Sequence, residues 1–313
     1  MSSLSSSSGL PGEAHEPPPA PDPARAPSIA RSFASMVALS HTIFALPFAA
    51  SAVLLALPRP RLPITLPRVA AMLVCMVAAR TAAMAFNRWV DRDIDAENPR
   101  TKNREIPAGV VSPRAALALT IACSAVFVVS AATLGSTPGL LSFPVLSVLL
   151  GYSICKRFTW AAHLVLGLAL ALAPGGAWIA IGAAPEAGIV ALMVGVLTWV
   201  AGFDVLYSLQ DESFDRARGL HSIPARFGTI GAVVLSAGLH VITVASFATT
   251  GVLLGRGPAF FAAVAVISLL LVVEHAIVGK GNLSKINKAF FDINGYVSVV
   301  FFSLTALDAW WMS

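Results

Sequence analysis

The chain has 313 residues, 57% of them hydrophobic and 12% charged, with a mean hydropathy of +0.78. So apolar a composition cannot be hidden in a water-soluble core, so a soluble enzyme is excluded and the chain must be integral to a lipid bilayer. The net charge of +5 and pI near 9.4 do not point to nucleic acid, because the bases lie in short connections between apolar runs, not on a polar domain.

Residues 1–30 hold a serine run and the tract EPPPAPDPARAP, which lack hydrophobic periodicity and are expected to form a disordered Ser/Pro/Ala-rich tail. No basic start leads into a short apolar stretch with a small-residue cleavage site, so a signal peptide is not expected. Residues 31–313 are expected to form one all-α, polytopic membrane domain. About nine apolar runs of roughly 20 residues, the length a bilayer core demands, follow one another. They lie near 34–57, 68–90, 114–135, 139–157, 160–183, 187–210, 229–254, 257–279 and 288–311. Pro47, Pro144 and Pro174 fall inside runs, where neighbouring helices can satisfy the freed carbonyls, so kinks are predicted, not breaks. Cys75, Cys123 and Cys155 are isolated within runs, without the spacing of a disulfide framework or a zinc site.

Alternate connections sort the bases. Arg80 lies within a run, and Arg59, Arg61, Arg68 and Arg256 lie on one side; the rest of the 21 Lys and Arg fall on the other, which the positive-inside rule makes cytoplasmic. Both acidic motifs open onto that side.

The first motif ends the second run. In FNRWVDRDID, Asn87, Asp91 and Asp95 recur every fourth residue. At about 100° per residue they share with Arg80 an arc of roughly 80°, whereas Asp93 points the opposite way. The sixth run ends in DVLYSLQDESFD, where Asp204, Tyr207, Asp211 and Asp215 lie within about 80° of each other on an ideal helix and Glu212 falls off the stripe. Asp204 lies two turns deeper than Asp211, which suits it to orient a basic side chain or a second substrate instead of a metal.

Side chains four residues apart stand about 6 Å apart along the axis, close enough for carboxylates to share divalent cations. Mg2+ keeps several waters and takes one or two carboxylates plus substrate phosphates, which suits two acidic faces; calcium would call for more protein oxygens, and zinc for Cys or His. A diphosphate clamped through Mg2+ between Asp91/Asp95 and Asp211/Asp215 is the expected ligand. In the loop after the first motif, Arg92 and Arg104 are the expected phosphate contacts.

Two rivals come from other classes. Glu274, Asp292 and Asn294 in or near the late runs raise a cation-coupled transporter, which predicts polar groups spread through the bilayer midplane, yet the Asp ladders gather near one face. A polyprenyl diphosphate hydrolase would need an activating base and a wet pocket, and neither can be recognised in the sequence.

The segments NRWVDRDID, PRTKNREIPAG and DVLYSLQDESFD, with HTIFALPFA at 41–49 and YSICKRFTWAAHLVLG at 152–167, resemble the signature segments of the UbiA superfamily of intramembrane prenyltransferases. RTKNREIPAG and CKRFT are most similar to the 4-hydroxybenzoate polyprenyltransferase branch and its relatives in the futalosine menaquinone route. The resemblance implies helices around a central cavity and Mg2+-dependent transfer of a polyprenyl group from its diphosphate to an aromatic acid acceptor, 4-hydroxybenzoate or a dihydroxynaphthoate. The setting it implies is ubiquinone or menaquinone biosynthesis in a bacterial inner membrane. It matches Asn87, Asp91 and Asp95 to the first family motif, Asp211 and Asp215 to the second, Tyr207 to the tyrosine before the second pair, and Tyr152 and Lys156 to a YxxxK element. Lys156 and Arg157 would then neutralise phosphate oxygens, and His41 would orient the acceptor's hydroxyl or carboxylate.

Overall fold

In lipid every backbone amide must find its partner within its own segment, and the apolar runs accordingly fold as helices. The computed structural model describes residues 42–59, 61–278 and 283–312, so the predicted tail and His41 lie outside the described residues. The elements are α1 Thr42–Leu55, α2 Leu66–Val90, α3 Arg92–Glu97, α4 Pro113–Leu134, α5 Ser136–Cys155, α6 Ala162–Ala180, α7 Ala187–Ser208, α8 Glu212–Arg218, α9 Ile223–Leu253, α10 Pro258–Val278 and α11 Leu283–Trp311. Eight helices are long and apolar enough to cross a membrane; α1 is a shorter apolar helix, so about nine predicted spans become eight full ones and a shorter one among the described residues.

Local chemistry sets the ends. Pro67, Pro113 and Pro224 open α2, α4 and α9, where a missing N–H costs nothing. Ser112 and Ser222 cap the latter two, each hydroxyl accepting from the amide three residues on. Pro47, Pro144 and Pro174 lie inside α1, α5 and α6 as predicted. α9 is interrupted at Gly228, whose φ of 71° suits glycine, so its long uninterrupted part starts at 229, where the seventh apolar run was expected to begin.

Two groups of helices result. α1, α6, α7, α9, α10 and α11 touch in a closed ring, while α2, α4 and α5 pack on one another and join the ring through α6 and α1. The ring encloses the main core, with Phe48, Leu192, Trp199, Phe247, Phe260 and Phe301 fully buried. α6 and α7 approach so closely at Gly167 that a Cβ there would stand 2.3 Å from the carbonyl oxygen of Leu197. Between ring and satellite group lies a cavity of about 450 Å³ with mostly apolar walls, running from Arg80 and Tyr152 at one end to Leu134, Pro138 and Ala180 at the other. Arg68, near the start of α2, donates to the carbonyls of Leu134 (3.2 Å) and Ala180 (2.6 Å) and so ties together the ends of α4 and α6 there.

Candidate active site

The first acidic motif turns where its chemistry begins. α2 ends at Asp91, whose φ of −92° and ψ of 2° leave the helical region, and α3 restarts at Arg92. The hydrogen-bond ladder continues across the bend: the Asp91 amide donates to Asn87 O at 3.0 Å and the Asp95 amide to Asp91 O at 2.7 Å. Asn87, Asp91 and Asp95 therefore keep a common face. Asp91 and Asp95 are each 2% exposed, whereas the Asp93 side chain is 77% exposed.

Each buried carboxylate of this motif has cationic partners. Asp91 accepts from Asn87 Nδ2 at 3.1 Å and Arg157 Nη2 at 3.1 Å, with Lys156 Nζ at 3.3 Å. Asn87 also faces Ser153 Oγ at 3.4 Å, and the amide of His221 donates to Lys156 O at 2.7 Å, tying the end of α5 to the loop before α9. Arg104 Nη1 spans both oxygens of Asp95, at 2.8 and 2.9 Å, and the Thr101 hydroxyl donates to the Asp95 carbonyl at 3.1 Å.

In the second motif a 3-10 turn, Leu209–Asp211, separates α7 from α8, so the stripe predicted on one continuous helix is bent. Arg100 grips Asp211 through two nitrogens, Nε at 2.9 Å and Nη2, and Asn98 Nδ2 donates to the same carboxylate at 3.1 Å. Arg100 also donates to the Tyr207 hydroxyl at 3.3 Å and lies over its ring at 5.4 Å. Burial works against the Arg100 charge, but the Asp211 carboxylate more than offsets it and holds the guanidinium above its ordinary pKa. Because Asn98 and Arg100 belong to the loop after α3, they carry the first motif across to the second, and Arg218 to Glu97 at 2.7 Å adds a second tie. Asp215 is buried beside the Ser222 hydroxyl, with Asp211 and Lys156 as charged neighbours and no ion pair of its own among the described residues.

Asp204 lies against a histidine, His163 Nδ1 standing 2.7 Å from its carboxylate. The Ile223 amide faces His163 Nε2 at 3.4 Å, which places the ring proton on Nδ1, donated to Asp204.

One expected contact is corrected by geometry. Arg92 does not join the carboxylates; its Nη1 donates to Trp89 O at 2.8 Å and its guanidinium covers the Trp89 ring beside exposed Asp93. Tyr152 lines the cavity next to Arg80, with Asp91 among its charged neighbours. The residues that sequence reasoning missed are Asn98, Arg100, Ser153, His163 and Ser222. Arg100 had one available signal, its place in the basic loop PRTKNREIPAG, but a loop has no period from which to tell which base turns inward.

The carboxylates offer hard oxygen donors of the kind Mg2+ takes. Among the described residues no three His, Cys, Asp or Glu side chains converge on one point, so a bound ion would be completed by substrate oxygens and not enclosed by protein.

Residues 44–303 match the UbiA prenyltransferase family. The chain belongs to that family. As a UbiA protein it is a prenyltransferase, and it is similar to the 4-hydroxybenzoate octaprenyltransferases of Aromatoleum aromaticum (27% identity, 74% of this chain and 78% of that one) and Azoarcus sp. (30%, 74% and 80%). Its fold is similar to that of a UbiA homologue from Aeropyrum pernix, with a TM-score of 0.77 and 35% identity over 86% of this chain and 98% of the other. A UbiA homologue from Archaeoglobus fulgidus, solved bound to GPP and Mg2+, shares the fold at a TM-score of 0.70 and 20% identity, over 89% and 99% of the two chains.

Proposed function

We propose that this UbiA protein transfers a polyprenyl group from its diphosphate to the ring of an aromatic acid of the 4-hydroxybenzoate type. The reaction would take place on the cytoplasmic face of a bacterial inner membrane, in ubiquinone or menaquinone biosynthesis. The observation that carries the reading is the pair of Asp motifs, linked through Asn98 and Arg100 and supplied with cations, beside the Arg80 and Tyr152 end of a largely apolar cavity of about 450 Å³.

Mg2+ held by Asp91 and Asp95 on one side and Asp211 and Asp215 on the other would supply a charge clamp for a diphosphate leaving group. Lys156, Arg157, Arg104 and Arg100, which now hold carboxylates, surround the space between the motifs and would turn to neutralise phosphate oxygens. The allylic C–O bond breaks and its electron pair leaves with the diphosphate. The allylic carbon then bonds to the ring carbon beside the acceptor hydroxyl, and that carbon loses its proton to the departing diphosphate. The apolar walls below receive the prenyl chain and keep water from the cation.

The test is product analysis. Purified protein in nanodiscs, given a long-chain prenyl diphosphate, Mg2+ and 4-hydroxybenzoate, should yield benzoate prenylated beside its hydroxyl, and EDTA should abolish the product. Prenylation of a dihydroxynaphthoate alone would move the acceptor to the menaquinone route. Free prenol alone would make the protein a hydrolase.

A further inference from the structure

The face away from the Asp motifs carries Arg59, Arg61, Arg68 and Arg256, on the side where the positive-inside rule disfavours bases. Three of them are engaged at helix ends. Arg59 Nη1 donates to the carbonyl of Leu55, the last residue of α1, at 3.0 Å, and Arg256 Nε to that of Leu254, just past α9, at 3.2 Å. Arg68 donates to the carbonyls of Leu134 and Ala180, the last residues of α4 and α6, at 3.2 and 2.6 Å. Carbonyls in a last turn lack a partner within their own helix and form the negative end of its dipole, so a guanidinium is well held there.

Arg68 differs from the other two in what it closes. It stands in the first turn of α2, where a cation opposes the helix's own dipole, so its place is explained by the two carbonyls and not by α2. Leu134 O has particular need of a donor, because the residue four positions on is Pro138, which has no N–H. Leu134, Pro138 and Ala180 wall the far end of the cavity, at the opposite end from Arg80. Ala131, Ala177 and Ala180 supply little bulk there, so closure depends on how near the ends of α4 and α6 stand, and Arg68 is what draws them together. Water is what that closure must exclude. An allylic cation reached by water would bond to the water oxygen, the proton would pass to the departed diphosphate, and the product would be free prenol. Substrates seated between the Asp motifs fill the near end of the cavity, and the helices' outer sides face lipid, which leaves the far end as the route for water. We propose that Arg68 is a positioning residue that seals this far end and so directs the prenyl group to the acceptor and not to hydrolysis. The proposal rests on the prenyl-transfer reading above for its chemical consequence, while the seal itself can be measured without turnover.

The test uses the full chain carrying Cys123→Ser and Cys155→Ser, which leaves Cys75, on the cavity wall about 10 Å along α2 from Arg68, as the sole thiol. In sealed proteoliposomes a charged, membrane-impermeant methanethiosulfonate is added on the face away from the Asp motifs, and the rate of Cys75 labelling is measured. In nanodiscs with geranyl diphosphate, Mg2+ and 4-hydroxybenzoate, the ratio of free prenol to prenylated ring is measured beside it. Arg68→Met should raise both by about 10-fold or more, the least that loss of one hydrogen bond to a charged group shifts an equilibrium. Arg68→Lys should recover part of the seal. Arg256→Gln removes a helix-end contact of the same kind outside the cavity and should leave both readings as in the parent protein. If Arg68→Met does not fold, Arg68→Gln, which keeps one donor group, should show the same two changes to a smaller degree. Labelling at the parent rate in the folded Arg68 variants overturns the proposal. So does faster labelling with no gain in prenol, or an equal rise of both readings in Arg256→Gln, the mark of general loosening. A parent protein that makes neither prenol nor prenylated ring fails the prenyl-transfer reading instead, and the labelling rates still decide whether Arg68 is the seal.

Discussion

The two helix groups solve opposite packing problems. Inside the six-helix ring, Phe48 lies 4.8 Å from Phe301, 5.1 Å from Trp199 and 5.7 Å from Phe247, ring centre to ring centre, so aromatic side chains fill the interior. Buried polar groups there pin helices together: Trp199 Nε1 donates to Asn294 Oδ1 at 2.8 Å, and Asn294 Nδ2 donates to Glu274 at 2.7 Å. Along the seam with α2, α4 and α5 the facing residues are small, among them Ala79, Ala83, Ala131, Ala169 and Ala173, and space remains. The filled half is a wall, and the hollow half offers the space proposed for the prenyl chain. Glu274 and Asn294, which suggested an ion pathway in the sequence, thus belong to the wall, and Asp292 is exposed.

This contrast predicts that changes above the seam strike turnover and changes in the ring strike folding. Asp91→Asn and Asp215→Asn should each lower the rate of prenyl transfer by about 10²–10³, the scale of losing one electrostatic contact to a developing charge. Their thermal midpoints in detergent should stay near that of the wild type, because Lys156 and Arg157 keep partial access to water when their partner is neutralised. Loss of folding in both variants would erase the distinction between the halves.

The opposite signature is expected from Trp199→Ala and Phe48→Ala. Both side chains are completely buried, and truncation should cost about 3–5 kcal/mol through lost packing and the cavity left behind. A denaturation series should show an early midpoint, while the fraction still folded should retain its rate constant. Wild-type stability for either variant would mean that the ring is not the wall.

A smaller effect should come from filling the seam. Ala173→Leu places a larger side chain in existing space, so its effect on stability should fall below the roughly 1–3 kcal/mol typical of overpacking a dense core. Its effect on substrate should depend on length, with long-chain prenyl diphosphates losing affinity and geranyl diphosphate much less. Equal loss for both chain lengths would place the prenyl group outside this cavity.

What was legible in the sequence follows the same division. Helix positions came from apolar run length, a property of each segment alone, and the observed spans begin and end within a few residues of the expected ones, α1 excepted, whose described part starts at Thr42. The common face of Asn87, Asp91 and Asp95 also survived, because the hydrogen-bond ladder persists across the bend at Asp91. Contacts that depend on loop path or on two distant segments were not legible. Arg100 and not Arg92 turns inward because the chain after α3 folds back toward α7, and His163 meets Asp204 only when α6 packs on α7. The bend at Leu209–Asp211 was equally invisible, since its residues continue the helical pattern.

The smallest expected effect tests that surviving geometry most directly. Asp93 and Glu212 each stand one residue from a proposed ligand or between two of them, so proximity in sequence alone would make both important. Their surroundings say otherwise: Asp93 is exposed beside Arg92, and Glu212 pairs with Arg216 at 3.0 Å and accepts from Thr229 at 2.7 Å, on the outer side of α8. Surface pairs of this kind contribute about 0–1 kcal/mol, and neither carboxylate touches the space between the motifs. Asp93→Asn and Glu212→Gln should therefore leave both the prenyl-transfer rate and the Mg2+ concentration for half-maximal activity within about twofold of wild type, in line with that small energy. A large rise in the Mg2+ requirement for either variant, in protein that melts normally, would show that the face turned toward the substrate is not the one that holds Asp91, Asp95, Asp211 and Asp215.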